Sequence, residues 1–154
     1  MTGFTLTPIG HLETPWPSPA DCPRNGRQPD LSPECRAVVA EPYREGLLGL
    51  EGFSHLILLY WMDRAPPPAL VFTPPFDPTP RGVFATRAPF RPNPVALSVV
   101  RFHGFAAPGL LRVTNLDCAN GTPLLDIKPY LPTTDAEPEA SMGWLAPHAT
   151  RRSG

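Results

Sequence analysis

Proline occupies 24 of the 154 positions, spread along the chain from Pro8 to Pro147. It lacks a backbone N–H and clashes with the preceding helical turn, so it breaks helix interiors and is confined to the edges of sheets. Long helices are therefore excluded over most of the chain, and regular structure is expected in the proline-free runs. About seven such runs are short and rich in branched residues, with turn signals between them. They predict an all-β fold, a small closed or nearly closed barrel with long proline-rich loops and a few short helical turns. Residues 1–132 would form the barrel domain, and 133–154 an irregular, acidic C-terminal tail in which Met142–Leu145 packs as a short element.

The strands are read from periodicity and composition. Phe4–Glu13 alternates in part and reads as the first strand. Arg36–Ala40 is a short second one, and Pro42–Leu50 is one or two helical turns with proline at the start. Phe53–Met62, FSHLILLYWM, is the most apolar run and reads as a buried central strand, with His55 as a core histidine. Val95–Phe105, Leu110–Leu116 and Leu124–Ile127 complete the set. Asn120-Gly121 marks a turn between the last two. Ala65–Pro80 is proline-saturated and extended.

Composition narrows the function classes. A net charge of −1 and a pI of 6.4 are not the broad basic footprint of a general nucleic-acid binder. RNA contact would need a local basic patch, or one formed on oligomerisation. Cys22, Cys35 and Cys118 show no CxxC pairing and follow no signal peptide, which points to reduced thiols and a cytoplasmic protein. No window approaches the roughly 18 apolar residues of a membrane span. His11, His55, His103 and His148 are scattered, so no metal site is expected. The sequence contains no GxGxxG, P-loop, GxSxG or HExxH motif.

Three polar loops could carry chemistry. In Gly82–Val100, GVFATRAPFRPNPVALSVV, Arg87 and Arg91 stand among Pro89, Pro92 and Pro94. Ala88, Arg91 and Asn93 each precede a proline and are held extended. Such a loop can hold guanidinium groups still for a carboxylate or phosphate, or it is a stiff surface turn with solvated arginines. Thr14–Pro33 is a long loop centred on Cys22–Asn25, either functional or a disordered flap. Leu116–Tyr130 gathers Asp117, Thr122, Asp126, Lys128 and Tyr130. In a strand, Asp126 and Lys128 face one side, as do Lys128 and Tyr130. They form either a polar site or one structural ion pair on a sheet edge.

The segments EGFSHLILLYWMD, GVFATRAPFRPNPVALSVV and NLDCANGTPLLDIKPYLP closely resemble the signature segments of the TsaA-like (YaeB, or TrmO) family. The resemblance runs from about Phe4 to Pro132. It implies a small β-barrel, not a Rossmann domain, working as a homodimer with the cofactor near the subunit interface. It implies S-adenosylmethionine-dependent methylation of N6 in threonylcarbamoyladenosine beside the anticodon of tRNA, or binding of the same cofactor without turnover. Carried over by position, Pro23, Arg24, Asn25, Met62, Asp63, Arg87, Leu97, Asp117, Gly121, Thr122 and Pro123 would contact the cofactor. Arg91 and Asn93 would face the substrate. A carbamoylated N6 has a delocalised lone pair, so Asp126 or Tyr130, with Lys128 beside them, is expected to assist loss of its proton. Methyl transfer needs no metal, and positioning supplies much of the acceleration. The family's DGTP aspartate is Asn120 here. The tRNA enzymes of the family carry a further C-terminal domain that these 154 residues do not include.

Overall fold

The computed structural model describes residues 3–24 and 32–149. Its centre is a closed six-stranded antiparallel barrel in the order β1-β2-β7-β6-β3-β8. These strands are β1 (Gly10–Glu13), β2 (Cys35–Val39), β3 (His55–Trp61), β6 (Val95–Ala107), β7 (Leu110–Thr114) and β8 (Pro123–Pro129). Two short strands, β4 (Val71–Phe72) and β5 (Arg81–Gly82), pair with each other outside the barrel. Closure leaves no barrel edge unpaired, which matters for strands this short. The expected all-β barrel is what the chain forms.

Alternation fills the interior. Leu56, Leu58 and Tyr60 of β3 point inward, as do Cys35, Ala37 and Val39 of β2 and Leu111 and Val113 of β7, all nearly inaccessible to solvent. Leu12, Val100 and Leu124 close the same core. Gly10 sits where β1 is squeezed between β2 and β8, opposite Val39 and Leu124. The 13-residue β6 bends where its register with β7 shifts between Phe102 and Phe105. Gly104 there has φ 97°, a conformation that glycine adopts without strain.

Several sequence readings are corrected in detail. The first strand begins only at Gly10: Pro8 offers no N–H, and Phe4 and Leu6 lie exposed before it. The helical turns expected over Pro42–Leu50 are a 3-10 helix that spans Glu41–Leu47, with proline in its first turn, and stop short of Leu48. Strand β3 is buried on one face only, because Ile57, Leu59 and Trp61 stay half-exposed outside the barrel. His55 is likewise half-exposed and not in the core; its Nδ1 lies 2.7 Å from Ser54 Oγ and its ring meets Tyr130 edge-on. The extended Ala65–Pro80 stretch contributes β4, and Phe72 packs edge-to-face on Phe90.

A short 3-10 turn (Gly143–Leu145) and a helical turn, Ala146–Ala149, follow the barrel. The Trp144 indole donates to the Ala85 carbonyl at 2.8 Å and stacks on Phe76, with the Arg81 guanidinium 4.6 Å from the ring centre. His148 Nε2 reaches Asp77 Oδ2 at 3.2 Å. The end of the described chain is thus fastened to the loop that carries Arg87.

Candidate functional site

Four loop segments converge at one mouth of the barrel around a cleft of about 290 Å³. Pro23 and Arg24 come from the loop after β1, Met62, Asp63 and Arg64 from the end of β3, and Arg87 and Pro89 from the proline-braced loop. Asp117, Cys118 and Thr122 come from the turn before β8, and Tyr60 forms part of the lining from inside the barrel. A broader depression of about 470 Å³ lies elsewhere, beside Arg44, Leu48 and Phe105. The smaller cleft is the better candidate because its polar groups converge from separate elements around an apolar lining.

The turn that presents Asp117 and Thr122 is locally determined. Thr122 donates from its amide and its Oγ1 to the Ala119 carbonyl, at 3.3 and 2.6 Å. Gly121 takes φ 86°, as the Asn-Gly signal predicts. Asn120 Oδ1 accepts from the Thr14 amide at 3.0 Å, and the Asn120 amide donates to the Trp16 carbonyl at 2.7 Å. An asparagine here keeps the acceptor an aspartate would offer and removes its charge. Arg64 clamps the same junction, donating to the carbonyls of Pro17 and Asn120.

Asp117 is aimed from the core. The Tyr60 hydroxyl, on a residue only 3% exposed, donates to Asp117 Oδ1 at 3.0 Å and lies 2.9 Å from Ser98 Oγ. Burial, then the Asp117 charge, pushes this phenol far above the ordinary tyrosine range, so it stays protonated and donates. Burial likewise raises the thiol of Cys22 and pushes that of Cys118 up to about 12. Neither is an activated thiolate, so the cleft offers no cysteine nucleophile.

The sequence-derived residues divide by location. Pro23, Arg24, Met62, Asp63, Arg87, Asp117 and Thr122 come together in the cleft. Gly121 precedes Thr122 in the turn, Pro123 follows it as the first residue of β8, and Asn25 lies outside the described residues. Leu97 is on the outer face of β6, where its carbonyl accepts from Arg87 Nη2 at 3.3 Å. Asn93 is exposed, its carbonyl accepting from the Val95 amide at 2.7 Å. Arg91 is half-buried and bonded within its own loop. Asp126 and Lys128 pair with each other at 3.0 Å outside the barrel, where β8 is paired with β3 while its pairing with β1 covers only Pro123 and Leu124. Tyr130 lies just beyond them against His55.

Sequence reasoning missed Tyr60, Arg64 and Cys118. For Tyr60 a signal was present: it is the phenol in an otherwise aliphatic inward series, Leu56-Leu58-Tyr60, and a buried hydroxyl needs a partner. No local pattern marks Arg64.

Residues 11–136 match the tRNA-methyltransferase O N-terminal domain. The chain belongs to that family. It is 40% identical over 121 residues to a probable S-adenosyl-L-methionine-binding protein, VirR, of Rhizobium radiobacter, covering 79% of this chain and 67% of that protein. An S-adenosyl-L-methionine-binding protein of Archaeoglobus fulgidus is 41% identical, covering 84% of this chain and 91% of that protein. The tRNA (adenine(37)-N6)-methyltransferase of Escherichia coli is 32% identical, with 94% of this chain matching 65% of the enzyme. The crystal structure of TrmO from Pseudomonas aeruginosa superposes with a TM-score of 0.73 at 34% identity, covering 93% of this chain and 63% of that one. The chain thus spans a little under two thirds of the E. coli and Pseudomonas proteins. No helix among the described residues is long and apolar enough to cross a membrane, and no His, Cys, Asp and Glu cluster among them is arranged to hold a metal ion.

Proposed function

We propose that this tRNA-methyltransferase O family domain binds S-adenosylmethionine in the cleft between these loops and transfers its methyl group to N6 of threonylcarbamoyladenosine in tRNA, in the cytoplasm. The observation that carries the reading is the donor set in the cleft. Arginines 24 and 87 suit the carboxylate, Asp63 and Asp117 suit a sulfonium cation, and Met62 and Pro23 offer apolar walls. When bound, the cofactor supplies an electrophilic methyl group. The chain's own residues bind and orient: Tyr60 holds the Asp117 carboxylate still, and Arg64 keeps two loops together over the cleft.

Leu97, Asp126 and Lys128 act in this reading through a homodimer. Leu59 pairs with Asp126 on one side and Leu97 on the other, so the three form one row across the outside of the barrel. Ile57, Trp61, Val95 and Val99 extend it into an apolar face. A second copy seated there would bring Leu97 and the proton-accepting candidates Asp126 and Tyr130 toward the neighbouring cleft. A cleft of 290 Å³ in one chain is at the small end of the roughly 300–1,000 Å³ of small-molecule sites. Light scattering on the purified protein is expected to give a dimer, and Leu59→Arg a monomer. A monomeric wild type refutes this arrangement.

The activity is tested by mass spectrometry of tRNA from a strain lacking the protein and from the same strain complemented. Methylated threonylcarbamoyladenosine is expected only on complementation. Cofactor binding in vitro with unmethylated tRNA in both strains would reduce the function to binding without turnover.

A further inference from the structure

Arg87 and Arg91 are four residues apart in one loop, yet their guanidinium groups stand in different surroundings. Arg87 is exposed and lines the cleft. Arg91 is half-buried, and its Nη1 donates to two carbonyls at once, Thr86 O at 2.9 Å and Ala88 O at 3.0 Å. Those two carbonyls belong to the residues on either side of Arg87. Prolines 89, 92 and 94 remove backbone N–H donors from this stretch, so its carbonyls have few main-chain partners available. Side chains take that part. Thr86 Oγ1 donates to the Val83 carbonyl at 2.8 Å and accepts from the Ala88 amide at 3.2 Å. The Trp144 indole holds the carbonyl of Ala85. The backbone is therefore tied immediately before and after Arg87, while its own side chain makes one long contact, to Leu97 O at 3.3 Å.

We propose that Arg91 is a positioning residue: it fixes the backbone on both sides of Arg87 so that the Arg87 guanidinium is presented to the anionic group of the ligand. The two arginines thus divide the work, one gripping and one bracing. A planar guanidinium suits the bracing role because a single nitrogen can be shared between two carbonyls while the rest of the fork stays rigid. The proposal rests on the reading of Arg87 as a ligand-binding residue, and the test separates the two.

Calorimetry with S-adenosylmethionine is carried out on the full chain for wild type, Arg91→Met, Arg87→Gln and the double variant, with thermal melting to verify folding. Arg91→Lys replaces Arg91→Met throughout if the latter does not fold. Arg91→Met alone is expected to weaken binding about tenfold, as for lost hydrogen bonds from a charged donor. In the Arg87→Gln background the same change is expected to cost less than about twofold, because the brace has nothing left to position. An equal loss in both backgrounds overturns the proposal, since Arg91 would then act on the ligand or on the whole cleft independently of Arg87. Wild-type affinity in Arg91→Met overturns it as well. Wild-type affinity in Arg87→Gln instead removes the reading of Arg87 on which it rests.

Discussion

Asp117→Ala is expected to weaken S-adenosylmethionine binding by about a hundredfold, the scale of losing a charge-assisted contact in a partly desolvated site. The carboxylate is half-buried, lines the cleft and receives the Tyr60 hydroxyl at 3.0 Å. Its orientation is rooted in the barrel, because Tyr60 belongs to the inward row of β3 and is also within hydrogen-bonding distance of Ser98. A side chain held by a core residue loses little entropy when a ligand arrives, and this makes it worth more than an exposed charge. Asp117→Asn separates charge from geometry: it keeps an acceptor for Tyr60 and removes the attraction for a sulfonium. An intermediate loss of about tenfold is expected for it. Calorimetry on the two variants checks the order. Equal affinity of Asp117→Asn and wild type would show that the charge is irrelevant to the ligand.

Gly10→Ala is expected to have a large effect on stability. A Cβ at Gly10 would be driven against the Val38 carbonyl oxygen, with the Val38 carbonyl carbon 2.8 Å and Val39 Cα 3.1 Å away. These are backbone atoms of a paired strand, so no rotamer change relieves the contact. β1 is also paired with β8 at this residue, which prevents it from moving away as a free edge would. Overpacking of this kind costs about 3 kcal/mol or more, out of a total that is typically about 5–15 kcal/mol. The expected fall in melting temperature is about 10 °C for a chain of this size. Gly46→Ala is the control, because a Cβ there meets nothing within 4 Å and its backbone is not left-handed. Its melting temperature is expected to stay within about 2 °C of wild type, the usual range for an unconstrained surface change. A Gly10→Ala protein that melts with the wild type would contradict the described strand spacing.

The architecture was legible where proline was absent. Phe53–Met62, Val95–Phe105 and Leu110–Leu116 became β3, β6 and β7 with shifted ends, because uninterrupted runs of branched residues have few alternatives to a strand. The start of β1 was not legible: alternation in Phe4–Glu13 continues through residues that have no partner strand. Strand β3 was harder to read than its composition suggested. An apolar run signals burial on both faces, yet only Leu56, Leu58 and Tyr60 enter the core, and the outer residues form the face proposed for the dimer.

The loops of the cleft were visible as polar, proline-rich or Asn-Gly segments, and most positions carried over by resemblance as cofactor contacts meet there, whereas Arg91, Asn93, Asp126, Lys128 and Tyr130 do not line it. What local pattern could not convey is who holds whom. Arg64 bridging Pro17 to Asn120, and Trp144 reaching Ala85, join residues 47, 56 and 59 positions apart. Such contacts depend on the closed topology and leave no periodic trace in the chain.

A sulfonium nucleoside is proposed to occupy the cleft between the loops that carry Arg24, Asp63, Arg87 and Asp117. Titration of the ¹⁵N-labelled protein with S-adenosylmethionine, followed by amide chemical shifts, tests this most directly. The largest changes are predicted at Asp63, Arg87, Asp117 and Thr122, with Arg44, Leu48 and Phe105 at the other depression unmoved. Shifts centred on that second group, or no saturable shifts at all, would contradict it.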